Sequence, residues 1–235
     1  MPPTLAVKSV VVIGAGISGA ATASALAKRG IAVTVIEQHT IASAASGNHL
    51  GLLYAKISPN YTVQTELLLA GYGFSRSLLQ NSLPVGQGWL DCGVLHLNYN
   101  DAEKNRNGLL ASQNPDNALF RPVTQTQAGD IAGMELPSGG LWWPFGAAIN
   151  PYSWVDALLR QPIIEVLTAT KVTSVVYQND GWQIVCQNMN RSFTLESIPC
   201  RYLAGADSDT LFPVAGCHCI KSEDKLPQLV SELML

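Results

Sequence analysis

The sequence predicts an α/β protein that opens with a parallel βαβ unit. Three features support this: a β-branched run, a glycine-rich turn and a stretch of small residues. Residues 10–13 are Val-Val-Val-Ile, residues 14–19 have the pattern G-x-G-x-x-G, and residues 20–27 are mostly alanine. A β-branched run is typical of a buried parallel strand, and small residues let the following helix pack closely against it.

This unit predicts the binding of a dinucleotide. Gly14 permits the tight turn, Gly16 lets the backbone approach a pyrophosphate, and Gly19 allows close packing of helix and strand. The helix N-terminus offers N–H groups and a partial positive charge to phosphate. Gly30 is interpreted as the C-cap of the helix, and residues 31–36 as a second strand.

Glu37 ends the second strand and is the candidate ligand of a ribose. It lies eighteen positions after Gly19, close to the spacing of about twenty expected for the acid that binds ribose hydroxyls. A lone G-x-G-x-x-G is a weak signal, because glycines cluster in ordinary loops. Here a strand precedes it and a helix follows it, so a dinucleotide site is favoured over a loop.

Residues 39–58 are rich in glycine, serine and alanine. Small side chains suit a segment whose backbone passes beside a flat ligand, with serine and asparagine as donors. A flexible linker is the alternative. It is disfavoured because the apolar residues Leu50, Leu52, Leu53 and Tyr54 follow without a break.

Composition limits the classes of protein that fit. The chain is 47% apolar and 13% charged, which indicates a globular fold, and its net charge of −3 gives no basic surface for nucleic acid. No apolar run reaches the length of about eighteen residues that spans a bilayer, and no signal segment is recognised, so a cytoplasmic location is expected. The five scattered cysteines predict reduced thiols, and Cys217-His218-Cys219 is too small a set to predict a metal site.

Further elements follow along the chain. A helix is predicted over residues 61–81, with Leu67, Leu68, Tyr72, Leu78 and Leu79 on its apolar face. The other predictions are a strand over 94–97, a surface helix within 98–117, a helix over 152–160, and strands over 165–176, 182–186 and 192–195. Asn179-Asp180-Gly181 predicts a hairpin. Trp142 and Trp143 fit a stacking platform and a packed core equally well, and His49 and His96 are read as packed or surface histidines.

Residues 45–58 resemble the A-S-G-N-x-x-G-x-L-Y-P-x-L-S segment of the FAD-dependent amine oxidoreductases of the D-amino-acid oxidase group. More narrowly, they are similar to the oxidoreductase domain of the bifunctional tRNA 5-methylaminomethyl-2-thiouridine biosynthesis proteins. Residues 91–97 and 139–151 resemble two further motifs of that group, D-W-C-G-V-x-x-L and G-G-L-x-Y-P-x-G-G-W-V-N-P. The resemblance extends from about residue 10 to about residue 220.

The resemblance implies a Rossmann-like FAD-binding domain with an inserted α+β substrate domain, incomplete at the C-terminus. The implied division is residues 1–84 and 151–220 for the FAD-binding domain, 85–150 for the substrate portion and 221–235 for a tail. The sequence departs from the family at several positions. Ala147 and Ala148 replace glycine and tryptophan, Arg201 replaces an apolar strand residue, and Cys217-His218-Cys219 stands where Q-V-x is expected.

The resemblance also implies the residues that contact FAD. Glu37 holds the adenosine ribose, the glycines bracket the pyrophosphate, and the segment from Ser46 to Leu52 lines the flavin. The complete set of cofactor-binding candidates is Gly14, Ala15, Gly16, Ile17, Ser18, Gly19, Glu37, Gln38, Ala45, Ser46, Gly47, Asn48, Gly51, Leu52, Val172 and Gly205. No catalytic acid or base is identified. Tyr54 and Lys56 are candidates for substrate contact, since a buried carboxylate needs a cation, with an ordinary surface role for Lys56 equally open.

The function that the resemblance implies is oxidative removal of the carboxymethyl group from 5-carboxymethylaminomethyl-2-thiouridine in tRNA. This reaction implies FAD as cofactor, tRNA as substrate, a methyltransferase domain or chain as partner, and no association with a membrane. Three alternatives stay open: an oxidase of glycine, D-amino acids or another small amine; an inactive truncated FAD-binding remnant; and an NAD(P)-binding protein. The acidic net charge favours the small-amine oxidase, and the family motifs favour the tRNA enzyme.

Overall fold

The computed structural model describes residues 9–113, 118–178, 181–189 and 191–197. The chain forms two compact units, one comprising Met1–Asn48 with Pro151–Leu235 and the other His49–Asn150. The predicted domain division instead places residues 49–84 with the FAD-binding part, and it stays a prediction. Arg201, Gly205, the Cys217-His218-Cys219 segment and the tail lie outside the described residues.

The first unit contains the predicted βαβ arrangement. Strand β1 (Ser9–Ile13) pairs in parallel with β2 (Ala32–Ile36), and helix α1 (Ile17–Ala27) connects them. Strand β9 (Ile164–Leu167) extends this sheet in parallel on the far side of β2. The β-branched side chains of β1 and β2 are largely buried, as a parallel sheet covered by helices requires.

Helix α1 packs against its neighbours through small residues. It packs against α5 (Pro151–Leu159), and Gly19, Ala20, Ala23, Ser24 and Ala27 form its buried face. Its predicted C-cap is wrong by two residues. Lys28 is the C-cap, and Gly30 follows in the left-handed conformation with φ of 78°, so it turns the chain toward β2.

The strand predicted over residues 165–176 is two strands in different sheets. β9 ends at Leu167, and β10 (Lys171–Gln178) begins after a turn in which Ala169 has a φ of 49°. In that turn the amides of Ala169 and Thr170 donate to the carbonyls of His39 and Glu37. The β-branched composition continues through the turn, so no local signal marks the break.

Strands β10, β11 (Gly181–Gln187) and β12 (Ser192–Ser197) form an antiparallel sheet. Gln178 lies opposite Gly181, which confirms the predicted hairpin pairing around residues 179–180. Val172, Val175, Ile184 and Cys186 of this sheet pack in one core with residues of β1 and β2.

The second unit combines two small antiparallel sheets with three helices. Its elements are β3 (Gly51–Leu53), α2 (Val63–Ser82), β4 (Trp89–Leu90), β5 (Val94–Leu97), α3 (Asp101–Gln113), β6 (Arg121–Val123), α4 (Gln125–Ala132), β7 (Gly140–Trp143) and β8 (Ala147–Ile149). The strand orders are β3-β8-β4 and β5-β7-β6. The core of this unit contains Tyr72, Leu110, Phe120 and Leu141 around Trp143.

Trp143 is fully buried, so core packing rather than a stacking platform is its structural role. Trp142 is partly buried and lies over Gly93, where an added Cβ would be 1.9 Å from its ring. The predicted apolar face of α2 is only partly correct. Tyr72 and Leu79 are buried, whereas Leu67 and Leu68 are each 41% exposed. Among the described residues, every helix is too short or too polar to cross a membrane.

Candidate functional site

The glycine turn of the first unit is shaped by its backbone. Gly14 has a φ of 99°, a conformation that side chains disfavour, and its amide donates to the Ile36 carbonyl at 2.8 Å. A Cβ on Gly19 would lie 2.0 Å from the Gly14 carbonyl oxygen. Both positions therefore require glycine, and together they bring the end of β1 directly onto α1.

The N-terminus of α1 is capped by a residue from a later segment of the chain. Gly16 is the N-cap and supplies no side-chain hydrogen bond. Ser46 approaches from the following segment, and its Oγ accepts the amide of Ile17 at 3.0 Å. The hydroxyl keeps its own proton for a further acceptor. The structure thus brings together three of the predicted cofactor-binding residues, Gly16, Ile17 and Ser46, of which Ile17 and Ser46 are 29 positions apart.

Glu37 has a structural role that the sequence did not predict. Its Oε2 accepts the amide of Ala15 at 2.9 Å, and its Oε1 accepts the amide of His39 at 2.9 Å. The carboxylate therefore ties the glycine turn to the end of β2. Each carboxylate oxygen has a second acceptor position, so these bonds leave room for the hydroxyls of a ribose.

The second unit contains a cluster of charged side chains around Glu103, in the first turn of α3. Its Oε1 lies 3.1 Å from Lys56 Nζ and 3.4 Å from the hydroxyl of Tyr99. Its Oε2 lies 2.9 Å from His96 Nε2 and 2.9 Å from Arg106 Nη1. These five residues are called the Glu103 cluster below. The cluster has one carboxylate facing four donors.

His96 is the buried member of the cluster, with 7% of its side chain exposed. Nε2 faces the Glu103 carboxylate, and Nδ1 lies 3.3 Å from Arg106 Nη1. Because Nδ1 faces a group that can only donate, we assign the proton to Nε2 and take the ring as neutral. Burial and the charge of Arg106 lower the pKa of His96, and their effect outweighs that of Glu103.

Glu103 stays ionised in this environment. Burial alone would raise the pKa of its carboxyl, but the hydrogen bond from Lys56 and the charges of Arg106 and Lys56 hold that pKa below its usual range. The cluster is therefore a carboxylate, two cations and a neutral imidazole, with an excess of one positive charge.

Tyr54 contacts the same cluster through its ring. Its centroid is 5.8 Å from that of His96 and 5.9 Å from that of Trp143, both in edge-to-face orientation. Both candidate substrate residues, Tyr54 and Lys56, are thus attached to the Glu103 cluster. Sequence reasoning missed Glu103 and Arg106. Their spacing of three places them on one face of a helix, but no local pattern connects them to Lys56 or His96.

Comparison with known proteins identifies the family. The family model described as FAD-dependent oxidoreductase matches residues 9–213. The chain belongs to this FAD-dependent oxidoreductase family. The resemblance seen in residues 45–58, 91–97 and 139–151 is thereby confirmed, and so is the predicted fold class.

Curated relatives of this flavoprotein are named tRNA 5-methylaminomethyl-2-thiouridine biosynthesis bifunctional protein. That of Nitrosospira multiformis is 37% identical over 83% of this chain, and that of Ectopseudomonas mendocina is 41% identical over 79%. The chain spans about a third of the length of these relatives, 32% and 28% respectively.

Solved structures support the same fold for the oxidoreductase chain. Glycine oxidase from Geobacillus kaustophilus matches with a TM-score of 0.63 and 19% identity, covering 80% of this chain and 52% of that one. Glycine oxidase from Bacillus cereus matches with a TM-score of 0.61 and 21% identity, covering 77% and 51%.

The cofactor of the family is FAD, and the first unit of the flavoprotein fits a dinucleotide. A Cβ on Gly16 would lie 3.3 Å from Ser46 Oγ, so glycine leaves room for this hydroxyl beside the α1 N-terminus. The hydroxyl of Ser46 and the carboxylate of Glu37 are polar groups of the kinds that a pyrophosphate and a ribose require.

The other cofactor-binding candidates occupy different environments. Ser18, Gln38, Ala45, Gly47 and Asn48 are exposed in the first unit, and Val172 is buried in β10 opposite Cys186. Leu52 is 59% exposed in β3 of the second unit, where it pairs with Ala148. Their contacts with FAD stay predictions. Within the described ranges, no three metal-ligating side chains converge on one point.

Proposed function

We propose that this flavoprotein binds FAD and removes the carboxymethyl group from 5-carboxymethylaminomethyl-2-thiouridine at the wobble position of tRNA, giving 5-aminomethyl-2-thiouridine. The observation that supports cofactor binding most directly is the convergence of Gly16, Ile17 and Ser46 at the N-terminus of α1, with Glu37 beside the turn. The choice of substrate rests on the similarity to relatives named for this tRNA modification. A cytoplasmic location, a methyltransferase partner and the predicted domain division belong to the same proposal.

The first unit would bind the nucleotide end of the cofactor. The hydroxyl of Ser46, which accepts the amide of Ile17, would donate its own proton to the pyrophosphate, and Glu37 would accept hydrogen bonds from the adenosine ribose. The carboxylate of Glu37 would repel a 2′-phosphate, which disfavours NADP as an alternative ligand. Val172 would meet the adenine with its backbone, and the residues from Gly47 to Leu52 would line the flavin.

In the second unit, Lys56 would bind the carboxylate of the substrate, and Tyr54 would orient the reacting carbon. When bound, FAD supplies the acceptor for a hydride from the carboxymethyl carbon, with oxygen as final oxidant; hydrolysis of the oxidised amine gives glyoxylate and the aminomethyl group. Protein side chains in such a reaction mainly bind and orient the substrate.

A small-amine oxidase is the second candidate function. The net charge of −3 favours it, because tRNA binding benefits from a basic surface. Under this alternative, Lys56 would bind the carboxylate of glycine or of a D-amino acid.

The first experiment is a titration of the purified full chain with FAD, followed by its visible spectrum after gel filtration. A structured flavin band is expected. Gly16→Ala should weaken FAD binding by about tenfold, since the added methyl group blocks the approach to α1. Gly71→Ala is the matched control, because a Cβ there meets no atom within 4 Å. A colourless chain that does not bind FAD would contradict the proposal and favour an inactive remnant.

The second experiment compares substrates of the FAD-loaded chain. Release of glyoxylate from tRNA carrying the carboxymethylaminomethyl group is expected, with much slower oxidation of free glycine. Faster turnover of glycine or D-alanine than of the tRNA would favour the small-amine oxidase.

A further inference from the structure

The ammonium of Lys56 is held on one side and open on the other. Its Nζ lies 3.1 Å from Glu103 Oε1, while 52% of the Lys56 side chain is exposed. An ammonium has three donors, and Glu103 is the ion-pair partner that the described part of the chain provides. The remaining donors therefore face solvent, where a ligand can reach them.

Glu103 itself is fixed from several directions. Its Oε2 accepts hydrogen bonds from His96 and Arg106, and only 12% of its side chain is exposed. Its backbone amide donates to Asn100 Oδ1 at 2.8 Å, which secures the first turn of α3. The carboxylate therefore cannot follow Lys56 if that long side chain moves. Lys56 must instead adopt the orientation that Glu103 sets.

The charge of the cluster favours an anionic ligand. Lys56 and Arg106 carry two positive charges, Glu103 carries one negative charge, and His96 is neutral. A ligand carboxylate would meet the solvent-facing side of Lys56, because Arg106 is mostly buried against His96 and Glu103.

We propose that Glu103 is a positioning residue, which orients the Lys56 ammonium toward the carboxylate of an N-substituted glycine. This inference rests on the proposed function, in which Lys56 binds the substrate carboxylate. Loss of the Glu103 charge has two opposite effects. It removes the repulsion between Glu103 and the carboxylate of the ligand, which water largely screens because Lys56 is exposed. It also releases the flexible side chain of Lys56. We expect the release of Lys56 to have a larger effect than the loss of the repulsion, so the affinity of the variant for carboxylates falls.

The test uses the full chain in the presence of FAD and two probes, N-methylglycine and its uncharged amide. Binding is followed by NMR of the labelled protein. Wild type should prefer N-methylglycine, Lys56→Met should lose this preference, and Glu103→Gln should reduce it by about fivefold. Lys104→Met is the control, since Lys104 is an exposed neighbour outside the cluster. Lys56→Arg keeps the cation and should retain most of the preference.

The outcomes separate the two proposals. If wild type shows no preference, or Lys56→Met leaves it unchanged, the assigned role of Lys56 is wrong and the inference fails with it. If Lys56→Met removes the preference but Glu103→Gln preserves or increases it, only the positioning role of Glu103 is wrong. If Glu103→Gln weakens both probes equally, Glu103 merely supports the fold, which also overturns the inference. Circular dichroism of each variant verifies folding.

Discussion

The glycine turn of the first unit and the Glu103 cluster of the second are built from different parts of the chain. The turn is made mainly by backbone amides and carbonyls, with one carboxylate and one hydroxyl, and these two side chains contact residues 22 and 29 positions away. The cluster is made by side chains from three segments, and the Lys56–Glu103 contact joins residues 47 positions apart. A site that depends on backbone geometry leaves a pattern in the sequence, whereas a site made by distant side chains leaves none.

The substitution with the largest expected effect on the glycine turn is Gly19→Ala. The added Cβ would lie 2.0 Å from the Gly14 carbonyl oxygen, and neither α1 nor the turn can move without disturbing β1. We expect a loss of about 3 kcal/mol in the free energy of unfolding, measured by urea denaturation. Gly71→Ala, in the exposed interior of α2, is the control and should gain about 0.5–1 kcal/mol. Equal stability of the two variants would show that the turn tolerates side chains.

Glu37→Ala tests whether Glu37, the proposed ligand of the ribose, also stabilises the glycine turn. The change removes the acceptor of the Ala15 and His39 amides, and hydrogen bonds to a charged group contribute about 1.5–3 kcal/mol each. Because Glu37 is only half-buried, water replaces part of these hydrogen bonds. We therefore expect the free energy of unfolding of the FAD-free chain to fall by about 2 kcal/mol. Unchanged stability of the apoprotein would limit Glu37 to ligand binding.

The limits of sequence prediction in this chain follow the same division. The βαβ unit and the hairpin after β10 followed from local pattern. The family motif marked Ser46 as a flavin-lining residue, so its contact with the amide of Ile17 was not predicted. The break at Ala169 was missed because β-branched residues stand on both sides of it. His96 was read as an isolated histidine, because its partners in α3 become neighbours only after β5 and α3 pack together.

Ser46→Ala removes the hydroxyl that accepts the Ile17 amide. Loss of a hydrogen bond at a helix N-terminus costs about 1 kcal/mol, and here water can partly replace the hydroxyl. We expect a small loss of stability, and a larger fractional loss of FAD affinity, because the hydroxyl would also donate to phosphate. Thermal unfolding and FAD titration measure the two effects. Ser43→Ala, in the same segment but exposed, is the matched control.

The smallest expected effect is a pH dependence that arises in the Glu103 cluster. The pKa of His96 in the folded chain lies below its ordinary value of 6.5, because burial and Arg106 disfavour the imidazolium. As the pH falls through 6.5, the unfolded chain binds this proton before the folded chain does. The free energy of unfolding should therefore decrease from pH 6.5 down to the folded pKa, and His96 should contribute no slope above pH 6.5.

His96→Gln isolates this effect, because glutamine offers a donor to Glu103 and an acceptor to Arg106 but does not titrate. The slope of unfolding free energy against pH just below 6.5 should be smaller in this variant than in wild type. His49→Gln removes an exposed histidine outside the cluster and is the matched control. The Glu103 carboxyl, whose pKa is lowered from 4.5, affects stability only in a more acidic range. An unchanged slope in His96→Gln would mean that His96 binds its proton equally in the folded and unfolded chains, which would contradict the lowered pKa. A larger slope in the variant would mean that His96 is protonated in the folded chain, with a proton on Nδ1 toward Arg106, and the hydrogen-bonding arrangement that fixes Glu103 would have to be different.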